Sequence, residues 1–145
     1  MDPFPHHYSV SALSAPDGDV ALESEGLPKL ASAAPTTFGG PGGRWSPETL
    51  FTASVVDCFV LTFRAIAQAS KLDWSRLECD AESTLDRVDH VTRFVALRIR
   101  AQLTIADTAH SDKAQRLLEK AEQTCLVRNS LNFDVELDPQ VRIAS

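Results

Sequence analysis

Cysteine is scarce in this chain of 145 residues: Cys58, Cys79 and Cys125 make an odd count with no close pair. That pattern excludes the dense, even disulfide framework that staples small secreted domains. In a reducing compartment such thiols are inert core residues, metal ligands or redox groups. Histidine is also thin. His6, His7, His90 and His110 fall at the terminus or in segments read as loops, and none has the spacing of a hydrolase or zinc motif. Positive charge is in deficit, with 14 Lys and Arg against 20 Asp and Glu and a formal charge of −6. This argues against a nucleic acid or an anionic membrane surface as partner. The opening MDPFPHHYSV is polar and proline-rich, without the charged stretch and apolar run of a secretory signal, so a cytoplasmic location is expected. The glycine-rich GGPGG at 39–43 lacks the Lys and Ser/Thr of a phosphate-binding loop and reads as a flexible approach to the apolar segment beyond it. No internal repeat interrupts the expectation of one domain over 1–145, and 43% hydrophobic residues suit a globular core.

The chain is organised around Trp45 to Ser70, WSPETLFTASVVDCFVLTFRAIAQAS, the longest apolar segment. Ser46 is a good N-cap, Pro47 fits the first helical position, and Glu48 suits the positive end of the helix dipole. Phe51, Val55, Cys58, Leu61, Thr62 and Ala65 fall on one stripe, but most of the remaining surface is apolar too, which predicts a buried helix over 45–70. Asp57 and Arg64 interrupt the run near its centre and favour a core helix over a membrane span.

Before this helix, residues 1–43 read as short strands and a Gly/Pro-rich loop. Strands are expected at Tyr8 to Leu13, Val20 to Ser24 and Lys29 to Ala31, the first two joined by the turn formers of SAPDGD with Gly18 at positive φ. After it, Leu77, Cys79, Ala81, Ser83 and Leu85 alternate with Glu78, Asp80, Glu82 and Thr84. A polar turn over Asp86 to His90 leads to Val95, Leu97, Ile99, Ala101, Leu103 and Ile105, which alternate with Arg98 and Arg100, so 77–105 reads as a strand pair. Carboxylates on one strand and arginines on the next suit antiparallel cross-strand pairing. Ser111 can cap an amphipathic second helix over 111–126 that carries Ala114, Leu117, Leu118 and Ala121 on one face, with Cys125 at its end. Leu131, Phe133, Val135 and Leu137 then predict a final strand at 131–137.

Taken by its residues alone, Cys58 is a mid-helix thiol away from the helix N-terminus, beside an Asp57 that would raise its pKa if it pointed inward. That favours a packed core residue. Cys79, on the apolar face of its strand, reads as inert.

The run GGPGGRWSPETLFTASVVDCF, with Pro-Glu at the helix start and a cysteine ten residues after the Glu, resembles the signature of the OsmC/Ohr family of thiol peroxidases. EKAEQTCLVRNSL, from Glu119, is similar to that family's second cysteine motif, and HHYSVSA to its first strand. The resemblance implies an α+β fold in which antiparallel sheets wrap the long central helices of an intertwined dimer. It also implies reduction of organic hydroperoxides or H2O2 without metal or bound cofactor. Carried over, Cys58 is the peroxidatic cysteine, Cys125 the resolving one, and Glu48 the carboxylate that orients an activating arginine. An external dithiol, a lipoyl protein or thioredoxin-like, would reset the disulfide. In the family a hairpin arginine activates the thiol, and SAPDGD has none; Arg44 and Arg128 are the substitutes that the sequence offers. Glu48 and Cys58 are separated by about 15 Å along one helix at about 1.5 Å per residue, so cooperation between them would run across a dimer interface. The missing arginine also motivates a second expectation, a non-catalytic dimeric protein that holds a small apolar ligand in a cleft near Cys58.

Overall fold

The computed structural model describes residues 1–145, which form two units, Met1–Leu50 and Phe51–Ser145. In the first, three short antiparallel strands lie in chain order, β1 (Ser11–Leu13), β2 (Val20–Glu23) and β3 (Leu30–Ser32). Gly18 takes φ +85° in the turn between β1 and β2, as its position in the turn sequence requires. β1 is shorter than its apolar pattern suggests because the Ser9 carbonyl accepts from the Ser24 hydroxyl instead of a ladder amide. The glycine-rich loop is folded on itself and is no slack tether. A 3-10 turn spans Thr36–Phe38, the Gly40 amide donates to the Pro35 carbonyl, and a Cβ on Gly40 would collide with the carbonyl of Ala34.

The long helix α1 (Pro47–Ala69) starts where expected. Ser46 Oγ accepts from the Thr49 amide at 3.1 Å, and the Ser46 amide donates back to Thr49 Oγ1 at 2.9 Å, a reciprocal capping pair. At the other end the Leu72 amide reaches the Ala67 carbonyl and the Lys71 amide the Gln68 carbonyl, with Lys71 left-handed at φ 56°. This is a Schellman ending with lysine where glycine is usual. By length and composition α1 could cross a bilayer. In this structure its buried stripe is Val55, Phe59, Phe63 and Ala67, which lies around the helix from the predicted one and leaves Cys58 half-buried on its shoulder and Leu61 51% exposed.

The second sheet has the order β4 (Arg76–Val88), β5 (Val91–Ile105) and β6 (Val135–Ile143). β4 and β5 are antiparallel in the register implied by their charges, with Asp80 opposite Arg100 and Glu82 opposite Arg98. Their turn is only Asp89 and His90, both at positive φ, so the strands run further than the polar composition of 86–90 suggested. Val95 is an extra residue in β5, since Ala96 pairs with Thr84 and Phe94 with Leu85. This bulge turns Phe94 inward to stack on Phe51 with ring centroids 4.3 Å apart.

Leu97, Ile99, Ala101, Leu103 and Ile105 form the inner face of β5 and share one core with α1 and with Ala114, Leu117, Leu118 and Ala121 of the second helix, α2 (Ser111–Thr124). Ser111 does not cap α2. The chain enters through a 3-10 turn at Thr108–His110, where Asp107 Oδ1 accepts from the Ala109 amide at 2.9 Å. The sheet is not wholly antiparallel, because α2 carries the chain back across it and β6 runs parallel to β5, Leu97 opposite Val135 through Ile105 opposite Ile143. β6 overlaps the predicted 131–137 only at its start and runs on to Ile143. Pro139 falls inside it, which an edge strand tolerates because the missing donor removes no inner ladder bond.

Replacing Lys71 by glycine should raise stability by about 1 kcal/mol, since glycine adopts the left-handed conformation without the steric cost that a Cβ incurs. Thermal unfolding would register this as a higher Tm, and an unchanged or lower Tm would contradict the Schellman assignment.

Candidate active site: two thiols and a turn of amides

Cys58 projects from the shoulder of α1, with Thr62 Oγ1 one helical turn on at 3.9 Å from its sulfur. Cys125 is the first residue beyond α2 and is buried, 1% exposed. Its extended backbone, with ψ 121°, ends the helix and swings the following turn, Leu126 to Ser130, back toward the sulfurs. The two side chains are close enough that each acts on the other's proton, and both cysteines are free thiols.

The electrostatics split the pair. Burial pushes Cys58 upward, but hydrogen bonds from the Cys125 thiol, the Val127 amide, the Thr62 hydroxyl and the Leu126 amide outweigh it and hold Cys58 below the ordinary thiol value of 9.0. Cys125 goes the other way. Burial, the proton it shares with Cys58 and the charge of Cys58 drive it up to about 11, against the amides of Arg128 and Val127. One sulfur is thus stabilised as thiolate while its neighbour keeps its proton, which is the division of labour that attack followed by resolution needs. Asp57 is exposed, so it does not face the sulfur as an inward-pointing carboxylate would. Cys79 is pushed up to about 11 by burial and then by the charge of Asp80, which agrees with an inert thiol.

The two candidate arginines are both engaged by carboxylates. Arg128 Nε donates to Glu122 Oε1 at 2.7 Å, and Glu122 is a buried carboxylate on α2. Arg128 therefore reaches the thiols through its backbone amide, which donates to Cys125. Arg44 Nε donates to Asp19 Oδ2 at 2.9 Å and its Nη1 to the Gly43 carbonyl at 3.1 Å, tying the glycine-rich loop to the β1–β2 turn. Glu48 occupies the first turn of α1. The structure thus brings Cys58 and Cys125 together and adds groups that sequence reasoning missed: Thr62, Glu122 and the amides of Leu126 and Val127. Thr62 was legible as the residue four beyond Cys58, on the same helix face. Amides carry no side-chain signature.

The α+β fold thus places a half-buried thiol on a long helix beside a buried thiol at the end of a second helix. Comparison with known proteins gives the particular family. The family model described as OsmC-like protein matches residues 40–139, so this chain belongs to the OsmC-like family. An organic hydroperoxide resistance protein OsmC from Legionella pneumophila, also described as a predicted redox protein and regulator of sulfide bond formation, is 25% identical, superposes with a TM-score of 0.76 and is covered over 100% of its chain and 97% of this one. An OsmC-like protein of unknown function from Vibrio cholerae shares the fold more closely, at TM-score 0.83 and 17% identity over 93% of this chain and 99% of its own. The uncharacterized Bacillus subtilis protein YmaD is 22% identical over 95% of both chains.

Iodoacetamide should label Cys58 first at pH values between its depressed pKa and about 11, where Cys79 and Cys125 remain protonated. The sign follows from alkylation of thiolate only. Peptide mass spectrometry reads the order directly, and labelling of Cys125 ahead of Cys58 would reverse the assignment.

Proposed function

We propose that this protein is a thiol-dependent peroxidase that reduces organic hydroperoxides or H2O2. The observation that carries the reading is the pairing of Cys58, held toward its thiolate, with a neighbouring Cys125 that is driven to keep its proton. Family membership and the hydroperoxide-resistance name of the Legionella relative support it.

In the proposed cycle the Cys58 thiolate attacks the terminal peroxide oxygen. The O–O bond breaks, the leaving alkoxide takes a proton to become alcohol, or water when the substrate is H2O2, and Cys58 becomes a sulfenic acid. Cys125 then attacks the sulfenic sulfur, its thiol proton leaves with the hydroxyl as water, and a Cys58–Cys125 disulfide forms. An external dithiol, a lipoyl or thioredoxin-like protein of the cytoplasm, returns two electrons and two protons through a mixed disulfide and is released oxidised. The cycle uses no metal and no bound cofactor. Glu48 keeps the role that the family resemblance gives it, the carboxylate that orients an activating arginine, and Arg44 is offered as a substitute for the hairpin arginine that the chain lacks.

The working form is a homodimer. Val10, Leu13 and Leu27 of the first unit and, in the second, Leu61 of α1 are each more than half exposed, apolar side chains of the kind that a second copy would cover. Light scattering should therefore give twice the 15.8 kDa chain mass, and a monomer that turns over peroxide would remove this part of the reading.

With cumene hydroperoxide and a dithiol, Cys58→Ser should fall to the uncatalysed rate. Cys125→Ser should still consume one equivalent of peroxide and accumulate a sulfenic acid trapped by dimedone. Turnover by Cys58→Ser equal to that of the parent would overturn the assignment.

A further inference from the structure

The amides that face the two sulfurs are aimed by the other side of their own peptide planes. In a trans peptide the N–H and the preceding C=O point in opposite directions, so a carbonyl held on one side fixes the amide on the other. Three successive peptides after Cys125 are held in this way. The Cys125 carbonyl accepts from the Asn129 amide at 3.0 Å, which sets the Leu126 N–H. The Leu126 carbonyl accepts from the Ser130 hydroxyl at 3.0 Å, which sets the Val127 N–H. The Val127 carbonyl accepts from the Ser130 amide at 3.0 Å, which sets the Arg128 N–H. Two of these three pins are main-chain bonds that any residue could supply. The middle one needs a side-chain hydroxyl at 130, and the amide it aims is the one that donates to both Cys58 and Cys125.

We propose that Ser130 is a positioning residue for Cys58: its hydroxyl holds the Leu126–Val127 peptide so that the Val127 amide faces both sulfurs. Ser130 touches neither sulfur nor substrate and acts through the peptide it holds. The Glu122–Arg128 ion pair braces the same turn from α2, and Arg128 Nη1 also reaches Asn129 Oδ1 at 3.3 Å, so the turn is held from both ends while Ser130 sets its centre. Without the hydroxyl the peptide can rotate, the Val127 N–H turns to water, and the sulfur loses a donor that favours its charged form. The assignment rests on the reading of Cys58 as the reactive thiol, but its test uses no peroxide.

The test is the pH dependence of Cys58 alkylation by iodoacetamide in the full chain, followed by mass spectrometry of the Cys58 peptide. Ser130 is exposed, so Ser130→Ala is expected to fold, and circular dichroism would establish that. Its alkylation midpoint should rise by about one pH unit, which means roughly tenfold slower labelling below the midpoint. Ser130→Thr, which keeps the hydroxyl, should restore the parent profile. A purely structural role would lower the Tm and leave the midpoint in place. A folded Ser130→Ala with the parent midpoint overturns the proposal, as does a Ser130→Thr midpoint as high as that of Ser130→Ala. If Ser130→Ala does not fold, Ser130→Cys offers a weaker donor at the same position, and its unchanged Cys58 midpoint would be equally decisive. A shifted midpoint in a protein that fails to turn over peroxide would leave Ser130 in its role and refute the peroxidase reading alone.

Discussion

Leu97, Ile99, Ala101, Leu103 and Ile105 present one unbroken apolar row to both helices, and each is nearly fully buried there. Burying such side chains is worth about 1.5–3 kcal/mol each for the larger ones, so this face fixes where α1 and α2 can lie. Cys58 and Cys125 meet as a by-product of that packing. One sits on the shoulder of the buried stripe of α1, the other at the residue where α2 ends and the chain must turn to begin β6. The register of an apolar face thereby sets the spacing of two sulfurs that contribute little to it.

Within that frame the thiols are tuned mainly by hydrogen bonds and desolvation. An arginine beside a thiolate would act as a point charge, whereas amides and hydroxyls act only when aimed, and their effect is lost on rotation. The price of using them is that the turn must be rigid, and the carbonyl pins and the Glu122–Arg128 pair supply that rigidity. A partly buried ion pair of this kind adds little net stability, because desolvation offsets much of the attraction, but breaking it leaves the buried Glu122 without a partner. Its value here lies in holding a shape.

Much of the fold was legible from periodicity and turn chemistry. The Ser46 cap, the alternation of β4 and β5 and the amphipathic face of α2 each follow from local rules that tertiary structure had no cause to override. What could not be read depends on position in the whole sheet. Pro139 argues against a strand until β6 is known to lie at an edge, and Val95 continues a clean alternation until the pairing of its neighbours exposes it as a bulge. The same holds at the sulfurs. Cysteines in two motifs pointed to a pair, while the donors that distinguish them belong to the backbone of 126–128 and leave no mark in the residue types.

The placement of Cys125 on the crossover between α2 and β6 gives oxidation a mechanical meaning. A covalent bond from there to α1 would close a loop that contains β4, β5 and α2, leaving only β6 of the second sheet outside it. Closing a loop of that length removes unfolded-state entropy worth about 4 kcal/mol in the chain-entropy account. The oxidised protein would then be the cross-braced form and the reduced protein the looser one, so its resistance to unfolding would itself record how much oxidant it has met.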